Sequence, residues 1–254
     1  MKDKKALWTA VLILSLACFA VCAVLLCKML FGGKSPSEYI DTDTDTQAVT
    51  TTTADNRPEN PVDFKALQAT NKGVYAWISI PGCEIEYPIL QSFEENDDFY
   101  LHHNLEKQYE YAGCIYTEKH NKKDFTDPNT VIYGHNMLNG TMFSNLLKYK
   151  DPEFFNQNKY IYIYTPVSKL TYQIFSAYKY DDRHILNSFD FSDKEVFAQY
   201  IEDCKNPKSL TVNTNPEVEV TADDKIITLS TCMGQVDNYR YLVQGVLISN
   251  EYTK

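Results

Sequence analysis

Three residues far apart in the chain, Cys232, His135 and Arg240, are of types that together suggest thiol chemistry. Cys232 ends the apolar, β-branched run Asp224-Lys225-Ile226-Ile227-Thr228-Leu229-Ser230-Thr231-Cys232. Residues of that shape suit a pleated surface, so the run reads as a buried strand that delivers a cysteine to a sheet edge. The thiolate is the reactive form of cysteine, and neighbouring cationic groups favour it. His135 stands in Tyr133-Gly134-His135-Asn136, where a strand gives way to a loop, and Arg240 opens the strand-like run Tyr239–Ser249. An imidazole can give and take protons near neutral pH. A guanidinium is permanently charged and offers a fork of donors to a carbonyl or a developing oxyanion. Taken singly, each has a plainer reading: a core thiol, a structural loop histidine, a surface charge. Their shared position at strand ends flanked by turns is what favours chemistry.

The elements that must hold these residues are mostly strands. Strand-like runs at 74–80, 85–91, 113–118, 129–135, 159–165 and 170–180 are separated by turn residues such as Pro81-Gly82, and a short run at 210–212 precedes the final pair. Asn60-Pro61 is expected to cap a short helix running to about Thr70, with Phe64 and Leu67 on its inner face. The turn Asn139-Gly140 leads to a helical stretch from Met142 to Tyr149, and Asp151-Pro152 opens a further helical turn. Ser192-Asp193-Lys194-Glu195 reads as a capping box, after which Val196, Phe197, Tyr200, Ile201 and Cys204 recur at helical spacing. Many strands with few helices predict a mainly β, closed or nearly closed architecture.

With 254 residues, 44% of them hydrophobic, the chain can build one good core in one or two domains. A net charge of -10 argues against a nucleic-acid partner, because neutralising phosphates needs a basic surface. Residues 6–27 contain no charged side chain, long enough for a membrane helix, and Lys2, Lys4 and Lys5 precede them. The expectation is a single-pass signal anchor over residues 1–31, with the N-terminus cytoplasmic and the rest outside the cell membrane. A cleaved signal peptide normally has a shorter apolar region, about 7–15 residues. Residues 32–60, with Asp41-Thr42-Asp43-Thr44-Asp45-Thr46 and Thr50-Thr51-Thr52-Thr53, are expected to form a disordered extracellular linker, and residues 61–254 the folded domain. Four cysteines lie beyond the apolar run: Cys83, Cys114, Cys204 and Cys232. They could form two disulfides in an exported chain, but Cys114 and Cys204 read more simply as small buried hydrophobes. There is no CxxC pair and no HxxxH spacing, so neither a metal site nor a cofactor is expected. His102-His103 reads as a pair on a solvated loop.

Thr228-Leu229-Ser230-Thr231-Cys232 resembles the TLxTC motif of sortases, the cysteine transpeptidases of Gram-positive cell surfaces. Val131-Ile132-Tyr133-Gly134-His135 is similar to their histidine motif, and Tyr239-Arg240-Tyr241-Leu242-Val243 to their arginine strand. The likeness extends over roughly residues 61–250, and the runs Val74-Tyr75-Ala76-Trp77-Ile78-Ser79-Ile80 and Ile85-Glu86-Tyr87-Pro88-Ile89-Leu90-Gln91 resemble the first strands of class B members. The resemblance implies a closed eight-stranded sortase-type β-barrel with an N-terminal helix and a helix inserted between strands six and seven. It makes Cys232 the nucleophile, His135 the general acid and then base, and Arg240 the group that orients the substrate carbonyl. It suggests substrate contact by Asn96, in a region that lines the class B groove, and by Ser230 and Thr231. The implied partners are secreted proteins bearing a C-terminal sorting signal and an amine of peptidoglycan. Met233 stands where class B members often have an acidic residue, and the groove wall near 180–187 is short, which leaves the recognised pentapeptide open. Polymerisation of pilins, hydrolysis by the same dyad, and a silent adhesion module with a structural Cys232 are the rival functions.

Overall fold

The computed structural model describes residue 40, residues 55–232 and residues 238–254. Its strands are β1 (Val74–Ile80), β2 (Ile85–Gln91), β3 (Ile115–Thr117), β4 (Asn129–Tyr133), β5 (Tyr160–Tyr164), β6 (Ser168–Asp181), β7 (Val212–Thr214), β8 (Ile226–Cys232) and β9 (Tyr239–Tyr252). Helix α1 (Phe64–Thr70) precedes them. Helix α2 (Pro152–Gln157) leads into β5, and α3 (Ile185–Ser188) and α4 (Lys194–Lys205) fall between β6 and β7.

Eight strands close into a barrel in the order β5-β1-β2-β3-β4-β8-β9-β6, sealed by pairing of β5 with β6. The length of β6, 14 residues, makes this possible. Its first part pairs with β5, its later part takes β7 as a ninth strand outside the ring, and its other edge follows β9 throughout. The pairs β2–β3 and β4–β8 are parallel; the remainder are antiparallel.

Alternation of side chains across each strand sorts the residues into layers. Ile78, Ile89, Ile115, Ile132, Ile163, Tyr172, Leu229 and Val243 face inward and fill the barrel. On the outside, α4 lays Phe197, Tyr200, Ile201 and Cys204 over Val131, Phe175, Leu242 and Val246. Helix α1 covers another outer sector, packing Phe64 and Leu67 with Val74, Trp77 and Leu90. Strands covered on both faces become runs without polar alternation, which is why every residue of β1 is buried.

Three local expectations change. Asn60 does not cap α1; Asp63 does, its Oδ1 accepting from the Ala66 N–H at 2.9 Å. Asn60 instead donates through Nδ2 to the Thr165 carbonyl and to Thr253 Oγ1, stitching the domain's first residues to its last. Likewise Asp193, not Ser192, caps α4, its carboxylate accepting from the Glu195 and Val196 N–H groups. The Ser192 hydroxyl donates to Asp190 Oδ1. The stretch expected to be helical over 142–149 is a 3-10 turn at Ser144–Lys150.

The expected location in the membrane is also corrected. Among the described residues no helix is long and apolar enough to cross a membrane. The longest there, α4, has 12 residues, about 18 Å at 1.5 Å per residue, against a hydrocarbon core of about 30 Å. Residues 6–27 lie outside the described part of the chain, so no single-pass anchor is shown. Within the expected linker, Ile40 forms a bridge with Val62 and Lys254 N–H donates to the Pro58 carbonyl.

Candidate active site

Parallel pairing of β4 with β8 sets the site. Tyr133 lies opposite Ser230, and the Gly134 N–H donates to the Ser230 carbonyl at 3.2 Å. His135 and Cys232 each follow two residues later, so both chains reach the same rim at the same height. On the other side of β8, Arg240 is the register partner of Cys232. Neighbouring strands are about 4.8 Å apart, which gathers the three side chains over adjacent strand ends. Alternation then decides their face. Ile227 and Leu229 point into the barrel, so Thr228, Ser230 and Cys232 point out, as do Val131 and Tyr133 on β4. Thr231, opposite Tyr241, turns inward, and its Oγ1 is buried without a hydrogen-bond partner among the described residues.

The glycine before His135 is required by packing. A Cβ on Gly134 would lie 2.5 Å from Ile115 Cδ1 and 2.8 Å from the Phe143 ring, pushing the histidine backbone off the sheet. The His135 carbonyl accepts from the Phe143 N–H, which fixes the chain just past β4. Burial lowers the pKa of the imidazole, and the neighbouring His102 presses the same way.

The four described cysteines are all free. Burial pushes the thiols of Cys83 and Cys204 up to about 12 and raises that of Cys114 as well, so these three are inert packing residues. Cys232 alone of the four is partly exposed. On the outward face, Tyr116 stacks on Tyr133 at 5.4 Å, and both rings lie close enough to Arg240 to feel its charge.

Of the other residues singled out in the sequence, Ser230 shares the face of Cys232 and is buried. Asn96 is exposed on a loop, its carbonyl accepting from the Phe99 N–H, and it makes no hydrogen bond to Cys232, His135 or Arg240. His102 departs from its expected solvated place: it packs against His135 with ring centroids 5.1 Å apart. Tyr111 stacks on the same histidine at 5.0 Å and 20°. Neither was legible, because only a turn between them brings positions 102 and 111 to one spot. Glu118, just past β3, is buried and joined to His184 Nε2 at 2.6 Å, with His120 Nδ1 at 3.7 Å. Burial raises the Glu118 pKa, and the two histidines pull it down less strongly. No group of side chains suited to a metal ion occurs among the described residues.

The family model for the sortase domain matches residues 78–248. The sortase B of Listeria monocytogenes is 35% identical over 189 residues, covering 74% of each chain. That of Staphylococcus aureus is 31% identical over 169 residues, 66% of this chain and 67% of the relative. The X-ray structure of Clostridium perfringens sortase B superposes with a TM-score of 0.66 at 34% identity, covering 73% of this chain and 99% of that one.

Proposed function

The chain belongs to the sortase family, among class B relatives, and from that premise we propose that it cleaves a C-terminal sorting signal of secreted proteins and joins the acyl fragment to an amine of peptidoglycan. The Cys232 sulfur attacks a backbone carbonyl carbon of the signal, and Arg240 holds the carbonyl oxygen as it gains charge. The carbon–nitrogen bond then breaks, the departing amine takes a proton from His135, and a thioester remains on Cys232. In the second half an incoming amine attacks the thioester and gives its proton to His135. The carbon–sulfur bond breaks, a new amide forms, and the thiolate and imidazolium are restored. Residues 61–254 constitute the catalytic domain in this reading, and Ser230, on the outward face beside Cys232, contacts the substrate together with Asn96. Thr231, turned into the barrel, supports the strand beneath them.

The observation that carries the reading is the strand register, in which β4 and β8 run parallel and β9 returns beside β8. Incubating the chain with a pentapeptide library and an oligoglycine or diaminopimelate-type amine tests it by mass spectrometry. The expected product is a conjugate of peptide and amine. Cys232→Ala is expected to abolish it while moving the unfolding midpoint by less than about 4 °C, since a partly exposed rim residue carries little packing. Cleaved peptide with no conjugate would reassign the chain to hydrolysis, and turnover in Cys232→Ala would remove the thiol from the mechanism.

A further inference from the structure

His135 is held by one stretch of chain that the reaction itself does not use. Residues 99–113 fold back on themselves between β2 and β3: Glu110 N–H donates to the His102 carbonyl at 2.9 Å, Asn104 N–H to the Gln108 carbonyl at 2.9 Å, and Cys114 N–H to the Tyr100 carbonyl at 2.8 Å. His103 is stacked on Phe99 at 3.9 Å and hydrogen-bonded to its carbonyl, closing the base of the fold. Gly113 adopts φ +57°, and a Cβ there would collide with the backbone of Tyr100 and Leu101. The two arms therefore cross more tightly than any side chain permits.

Two parts of this fold pack on the catalytic ring: the ring of His102 and the ring of Tyr111. His102 and Tyr111 also stack on each other at 5.7 Å, so the three rings form a closed triangle. His135 Nε2 and His102 Nδ1 are both buried without hydrogen-bond partners among the described residues. A histidine that works as acid and base is usually aimed by a carboxylate or carbonyl on its far nitrogen. Here no carboxylate does so among the described residues, and ring packing supplies much of the constraint. Tyr111 is 62% exposed and adds little to the core, so its stacked position is not explained by folding.

We propose that the 99–113 fold is a clamp on His135, with Tyr111 and His102 as positioning residues that aim the imidazole at the thioester-forming sulfur. This rests on His135 being the acid–base of the transfer proposed above. Of the other titratable or charged groups at this rim, Cys232 ends β8, Arg240 is its register partner at the start of β9, and Glu110 precedes Tyr111 on the clamp itself.

The test uses the full chain and two readouts: the His135 imidazole titration followed by NMR, and kcat and KM for transfer across pH. Tyr111→Ala is expected to move the His135 midpoint to higher pH, because water reaches the ring. It should lower kcat about tenfold with KM within about twofold, because aim is lost while groove binding is kept. Tyr111→Phe keeps the ring and should match wild type in both readouts. His102→Phe keeps the stack and removes the neighbouring charge, so the midpoint rises. Midpoints unmoved in both Tyr111→Ala and His102→Phe, or a Tyr111→Ala defect that Tyr111→Phe shares, would overturn the clamp. The NMR arm needs no turnover: shifted midpoints in a chain without transferase activity would uphold the clamp and defeat the transpeptidase reading instead.

Discussion

Glu118 shows how one buried group couples the groove to pH. Its folded pKa lies above the ordinary value of 4.5, with burial the first cause. A carboxyl in that state binds its proton more tightly when folded, so it favours folding at low pH and loses that contribution as pH rises through the raised value. Glu118→Gln removes the ionisation while leaving a hydrogen-bonding group beside His184. Whatever the offset between the two proteins at low pH, the variant's unfolding midpoint should gain on wild type as pH rises above 4.5, as calorimetry across that rise would read. Parallel curves would show that Glu118 titrates as if it were in water. This pair and the clamp on His135 escaped the sequence for one reason: each joins residues that neither period nor motif relates, 66 positions apart in the case of Glu118 and His184. The placement of Cys232, His135 and Arg240 at strand ends was legible because each stands at a boundary between a strand-like run and a turn.

At the scale of elements, composition and alternation locate strands well and their terminal bonds poorly. β1 and β2 have the bounds expected of them, whereas β7 starts at Val212, where the expected run ended. A three-residue strand bound along one edge has no buried stripe to announce it. Helix α4 illustrates the same limit at a cap. Ser192 and Glu195 have the spacing of a capping box, but Asp193 stands one residue nearer and its carboxylate accepts two orphan N–H groups at once. A charged acceptor beside a helix N-terminus also gains from the dipole, which a serine hydroxyl does not. Asp193→Ala should therefore destabilise the protein by about 1 kcal/mol, and Ser192→Ala should stay within about 0.5 kcal/mol. Urea denaturation of both variants checks the assignment. A larger loss at Ser192 would restore the box.

For the molecule as a whole, closure of the sheet sets which strands open first. β8 is flanked by β4 and β9, filled against on its inner face and roofed by α4 on its outer face. Opening it requires breaking two ladders and two apolar layers together. β7 needs only one ladder broken, along residues that are exposed or half-exposed. Amide exchange tracks the free energy of such openings, so Ile227, Thr228 and Leu229 should exchange near the global limit and Val212–Thr214 orders of magnitude faster. The seam between β5 and β6 decides whether the sheet is a ring. If it holds, Ile161 and Ile163, both fully buried, are protected almost as well as β8; if it were an open edge they would exchange with β7. Closure has a chemical consequence as well. A ring has no free edge to fray, so the ends of β4, β8 and β9 keep their register, and with it the placement of a thiol, an imidazole and a guanidinium on neighbouring strand ends.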